Sequence, residues 1–109
     1  MILEIAEINI KEGLAAEFEA GVRKALPIFK RAKGCCAFAL ERSIETPLRY
    51  RLLVHWHTLE NHIVDFQKSP DFFEWRKLVG HCFVSTPKVE HTTRALTFEL
   101  ESQDHRSPK

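Results

Sequence analysis

The stretch HWHTLENHIVDFQKSPDFFEWRKLV, residues 55–79, concentrates the side chains best able to do chemistry. Trp56, Phe66, Phe72, Phe73 and Trp75 stand close along the chain to His55, His57, His62 and Arg76. An aromatic cavity holding a few ionisable groups is the usual make-up of a small-molecule pocket. His62 is the sharpest candidate, because helical spacing puts it on one face with Leu59, Ile63 and Phe66. A neutral imidazole there could take a proton near pH 7. Equally, a histidine on an apolar face can be a core residue whose ring is satisfied by a backbone carbonyl. Spacing leaves both readings open. Trp56 falls on the same strand face as Tyr50, Leu52 and Val54, which fits sheet core as readily as substrate contact. His55 and His57 alternate to the other face with Arg51, as rim or interface groups.

Other reactive residues give weaker signals. Cys35, Cys36 and Cys82 are odd in number, and adjacent cysteines rarely bridge, so reduced thiols in a cytoplasmic protein are expected. No C-x-x-C occurs and the six histidines are not paired with cysteines at ligand spacing, so no metal site is expected. Cys82 beside Phe83 reads as a small core residue, and His81 suits the end of a helix. G-x-G-x-x-G, a phosphate-cradling glycine loop and G-x-S-x-G are all missing from the sequence. It therefore offers no nucleotide or flavin fingerprint, and no cofactor is expected. A formal charge of +1 without a basic or acidic block argues against nucleic acid and anionic membranes. The opening Met1-Ile2-Leu3-Glu4-Ile5 does not read as a secretory signal, and no run approaches the roughly 20 apolar residues of a membrane span.

These groups need a scaffold, and 109 residues allow one domain, expected over 1–100 with a polar, disordered tail at 101–109. Ile-rich residues 2–10 read as a strand and Gly13 as a turn. Leu14, Phe18, Val22, Leu26 and Phe29 mark an amphipathic helix to about Lys33, with Pro27 kinking or splitting it and Gly34 stopping it. Residues 35–45 and 48–57 read as a hairpin, the first strand turning Cys36, Phe38, Leu40 and Ile44 to one side. Two helical stretches follow over 58–84, broken near Ser69-Pro70-Asp71, the second presenting Phe72, Trp75, Val79 and Phe83. Residues 88–98 then supply a β-branched strand. The order β-α-β-β-α-β predicts an α+β, ferredoxin-like, four-stranded antiparallel sheet with helices on one face. The other face carries too many apolar residues for water, which predicts a homodimer through the sheet.

An ordered series of short matches runs from about Ile2 to Leu96. It includes the strand before Gly13, Gly34-Cys35, Arg42-Ser43 leading to Pro47-Leu48-Arg49-Tyr50, then Trp56, His62 and Phe66-x-x-Ser69-x-x-Phe72. Pro87 before Val89-Glu90-His91 completes it. In these features the chain resembles the antibiotic biosynthesis monooxygenase family of dimeric α/β barrels. The resemblance implies a pocket between sheet and helices and oxidation of a phenolic or hydroquinone-type aromatic by molecular oxygen, without flavin or metal. It implies His62 as base or hydrogen-bond donor, with Trp56, Phe66 and Phe72 as walls; Tyr50 and Trp75 join them as substrate-facing candidates. A haem-degrading branch carries Asn, Trp and His where this chain has Ala6, Phe66 and Arg76, so haem degradation is not expected. The contrasting reading is a non-catalytic dimer that binds a small apolar ligand, of stress-response type.

Overall fold

The computed structural model describes residues 1–101; the expected tail falls almost wholly beyond them. Strand β1 (Ile2–Asn9) leads into helix α1 (Ala15–Arg31), then β2 (Cys35–Arg42) and β3 (Arg49–Trp56) form a hairpin. A π-helical turn (Asn61–Phe66), helix α2 (Pro70–Val79), a 3-10 turn (Gly80–Cys82) and β4 (Lys88–Thr92) complete the elements of the described residues. All neighbouring strands are antiparallel, in the order β2-β3-β1-β4. This is the expected ferredoxin-like α+β arrangement, with the helices on one face.

Strand alternation decides which side chains meet the helices. Glu4, Ala6 and Ile8 of β1 lie opposite Val54, Leu52 and Tyr50 of β3, and all six are buried. From α1, Phe18, Val22, Ala25, Ile28 and Phe29 complete this core, joined by Trp75, Val79, Cys82 and Phe83. The two helices approach closely at Gly21, where an added Cβ would stand 2.7 Å from the Leu78 carbonyl oxygen. Gly34 has φ of 81°, and a Cβ there would collide with Asn61. That position therefore takes glycine for two reasons at once.

Several boundaries differ from expectation, each for a local reason. Helix α1 ends at Arg31 and runs unbroken through Pro27. Pro27 and Arg23, the residue whose carbonyl loses its helical partner, both lie on the exposed side of the helix. A bulge at Cys35–Ala37 shifts the β2 register, leaving Cys36 exposed while Phe38 and Leu40 face the core. The strand stops at Arg42, and Ile44 is exposed in the turn. Strand β4 ends at Thr92 rather than 98, because Thr92 already pairs with Leu3 and β1 has almost no chain left to pair with. Beyond it Leu96, Phe98 and Leu100 are exposed. Ile63, expected on the buried face beside His62, is exposed instead, because the turn there is π-helical.

Candidate active site

The site begins with a local capping device. Thr58 and Asn61 bind each other's backbone reciprocally: Thr58 N–H donates to Asn61 Oδ1 and Asn61 N–H donates to Thr58 Oγ1, both at 3.1 Å. This starts the helical turn immediately before His62, much as a capping box does. The turn then closes from Gln67 N–H to the His62 carbonyl at 3.0 Å, one residue wider than an α-helix. As a result Asn61, His62 and Phe66 all point inward. Ser69 ends this segment and starts the next, donating to the Phe66 carbonyl at 2.7 Å and accepting from Phe72 N–H at 3.3 Å. Pro70 follows at the first position of α2, where its missing N–H costs nothing.

His62 is buried and held on both nitrogens. Nδ1 lies 2.8 Å from Nε2 of His91, and Nε2 lies 3.3 Å from Oε1 of Glu4. Its ring stacks on Trp56, with centroids 5.3 Å apart. Trp56 in turn donates its indole N–H to the same Glu4 oxygen at 3.0 Å. Sheet register explains the gathering: Glu4 sits on β1 directly between Val54 of β3 and His91 of β4. Glu4, His62 and His91 thus form a chain of three titratable groups, two of them in the protein interior.

Burial sets their protonation. Removal from water pushes the Glu4 carboxyl up to about 7, against the opposing pull of the Trp56 N–H. Removal from water, helped by His91, pushes His62 down to about 4. Near neutral pH the pair is therefore uncharged or carries a single negative charge, and a neutral His62 ring keeps its hydrogen bond to His91. The tautomer of the two rings decides whether His62 or His91 donates between them, while Nε2 of His62 stands in close polar contact with the Glu4 carboxyl. Oε1 takes both the Trp56 and the His62 contact, and among the described residues no hydrogen bond uses Oε2.

A cavity of about 210 Å³ opens beside these groups, between the sheet and α2. Glu4 and His62 supply its polar wall, while Ala6, Leu52, Phe72, Trp75, Phe83 and Val89 supply apolar surface. Gln67 and Arg76 stand on its lining too, with the Arg76 guanidinium over the rings of Phe72 and Phe83. Of the residues singled out from sequence, His62, Phe72 and Trp75 come together on this cavity. Trp56 and Phe66 lie one layer behind, packed against His62. Tyr50 is elsewhere: its ring packs edge-on against Phe18 and its hydroxyl donates to Glu19 at 2.6 Å. Sequence reading passed over Glu4 and His91. Glu4 belongs to an Ile-rich strand and, although carboxylates in strands usually face water, it faces the core. Among the described residues, no helix is long and apolar enough to cross a membrane.

Comparison with known proteins agrees with this architecture. A family model described as antibiotic biosynthesis monooxygenase matches residues 1–78. The Bacillus subtilis (strain 168) protein YczJ, itself uncharacterised, is 41% identical over 91 residues, covering 84% of this chain and 96% of YczJ. A crystal structure from Bordetella bronchiseptica, named for the same family, is 56% identical with a TM-score of 0.86, covering 87% of this chain and 97% of that one. A variant of SnoaB from Streptomyces nogalater, named a cofactor-independent oxygenase, has a TM-score of 0.74 at 17% identity, covering 88% of this chain and 94% of SnoaB. That last likeness is one of fold. With the family model spanning well over half of its length, the chain belongs to the antibiotic biosynthesis monooxygenase family.

Proposed function

We propose that this chain is a cofactor-independent monooxygenase that oxidises a small phenolic or hydroquinone-type aromatic with molecular oxygen. The observation that carries the reading is the Glu4–His62–His91 chain opening onto an apolar cavity. An electron-rich phenol becomes a reductant once it loses its proton, and a dry aromatic pocket keeps the anion from being reprotonated by water. His62 alone, with a pKa of about 4, is a weak base at neutral pH. The carboxyl of Glu4, at about 7, is matched to the task, and its free Oε2 is the natural acceptor. His62 and His91 then hold or pass the proton. The substrate loses two hydrogens and gains one oxygen atom, while the second oxygen leaves as water. All four electrons that reduce oxygen come from the substrate, so no external reductant is needed.

The cavity is smaller than the roughly 300–1,000 Å³ usual for drug-sized ligands, which favours a compact substrate of no more than three fused rings. Phe72 and Trp75 would flank the ring, with Trp56 and Phe66 keeping His62 in place. A homodimer formed through the outer sheet face is part of the proposal. Leu3, Ile5 and Leu53 lie on that face, and an apolar sheet face is stabilised by a second copy. Oxygen uptake with a panel of hydroquinones and anthrones tests the activity. Uptake that falls by at least about 100-fold in both Glu4→Gln and His62→Ala supports it, since general acid–base catalysis contributes that much. No uptake with any member, or uptake unchanged in both variants, favours the non-catalytic binding module.

A further inference from the structure

Away from the cavity, the fold brings together three metal-binding side chains that lie far apart in the sequence. Glu17 is on the first turn of α1, while His81 and Cys82 are adjacent in the 3-10 turn after α2. His81 Nε2 contacts a Glu17 carboxylate oxygen and lies 3.6 Å from Cys82 Sγ. All three ligand atoms fall within 4.8 Å of one another. Ligands around a tetrahedral zinc ion, at about 2.0–2.3 Å from the metal, stand about 3.3–3.8 Å apart. His81 and Cys82 already stand at that spacing, while the exposed Glu17 carboxylate, in direct contact with His81, draws back to admit an ion.

The scaffold accounts for the convergence. Because Gly21 has no side chain, α1 can lie against the Leu78–Val79 backbone. Glu17, one turn earlier on the same face, is thereby brought over Gly80–Cys82. Cys82 is fully buried and forms a floor, while Glu17 and His81 are exposed. An ion would therefore enter from solvent and keep one position open to water.

We propose that Glu17, His81 and Cys82 form a zinc-class divalent cation site, pinning α1 to the turn that follows α2. The donor set of one thiolate, one imidazole and one carboxylate suits a borderline-soft ion better than calcium or magnesium. It departs from the expectation drawn from spacing along the chain, because residues 17 and 81 are joined only by the tertiary fold. A thiol must give up its proton to ligate a metal, so binding releases a proton and tightens as pH rises.

Cobalt(II) titration of the full chain tests the site. One equivalent is expected to give the near-ultraviolet thiolate-to-cobalt band with tetrahedral visible absorption, and zinc is expected to displace it. His81→Ala and Glu17→Gln, both at exposed positions, are each expected to weaken binding by more than about 10-fold, since even outer-shell partners cost that much. The Cys35→Ser/Cys36→Ser double variant is expected to keep the band. Absence of the band, or its survival in His81→Ala with loss in the double variant, would overturn the assignment and move any binding to the vicinal thiols.

Discussion

Replacing Glu4 by Gln tests whether burial sets the protonation of the site. Gln keeps an oxygen for the Trp56 N–H and an amide that can donate to His62, so shape and partners are retained. In the wild type, Glu4 titrates at about 7 in the fold against 4.5 when free, and His62 at about 4 against 6.5. A raised carboxyl contributes full stability below 4.5 and loses it as pH climbs through 7. A depressed histidine contributes full stability above 6.5 and loses it as pH falls through 4. Between about pH 5 and pH 8 the Glu4 contribution falls by about 2.5 kcal/mol and the His62 contribution rises by about 2 kcal/mol. The two nearly cancel, so they leave the wild-type profile almost flat. Glu4→Gln lacks the falling component. Its stability relative to wild type is expected to grow by about 2.5 kcal/mol over that range, read by urea unfolding at fixed protein concentration. Parallel profiles would refute the reasoning, because they would mean that Glu4 is already ionised throughout in the folded protein.

The remaining expectations concern neighbours of the site and the packing beneath it. His91→Gln removes one of the causes that depress His62, so the His62 pKa is expected to rise above about 4, observed by NMR titration; an unchanged value would contradict the coupling. Phe66→Ala, at a buried ring, is expected to cost about 3–5 kcal/mol, whereas Phe72→Ala, on a half-exposed cavity wall, should cost clearly less. Equal costs in denaturant titrations would count against the wall assignment. Gly21→Ala is expected to lose about 1 kcal/mol or more despite the better helix propensity of alanine. Its Cβ meets the Leu78 backbone oxygen, which cannot rotate away.

Much of the scaffold was legible in the sequence because strands and α-helices have fixed periods. The alternation around Tyr50, Leu52, Val54 and Trp56 placed β3 on the core, and Ser69-Pro70 marked the start of α2. The π-helical turn at 61–66 has no such signature. A helical wheel of period 3.6 therefore put Ile63 inside, where the wider turn leaves it exposed. At the site, His62 stood out because a titratable ring on an apolar face is conspicuous. Glu4 and His91 did not, since polar residues in strands usually face water. Only the register of β1 against β4 reveals that they share the inner face with His62. The Glu17–His81–Cys82 cluster was hidden for the same reason: a close helix crossing creates it, and no local spacing encodes that crossing.

The central claim is oxygenation by the Glu4–His62 pair without a bound cofactor. Its most direct measurement is isotope labelling with ¹⁸O₂, using protein dialysed against a chelator and a turned-over hydroquinone or anthrone from the uptake panel. The account predicts one labelled oxygen atom in the organic product and the other in water, with turnover rising as pH passes through about 7 as Glu4 ionises. Product that carries no label, or that forms only after flavin or metal is restored, would contradict it.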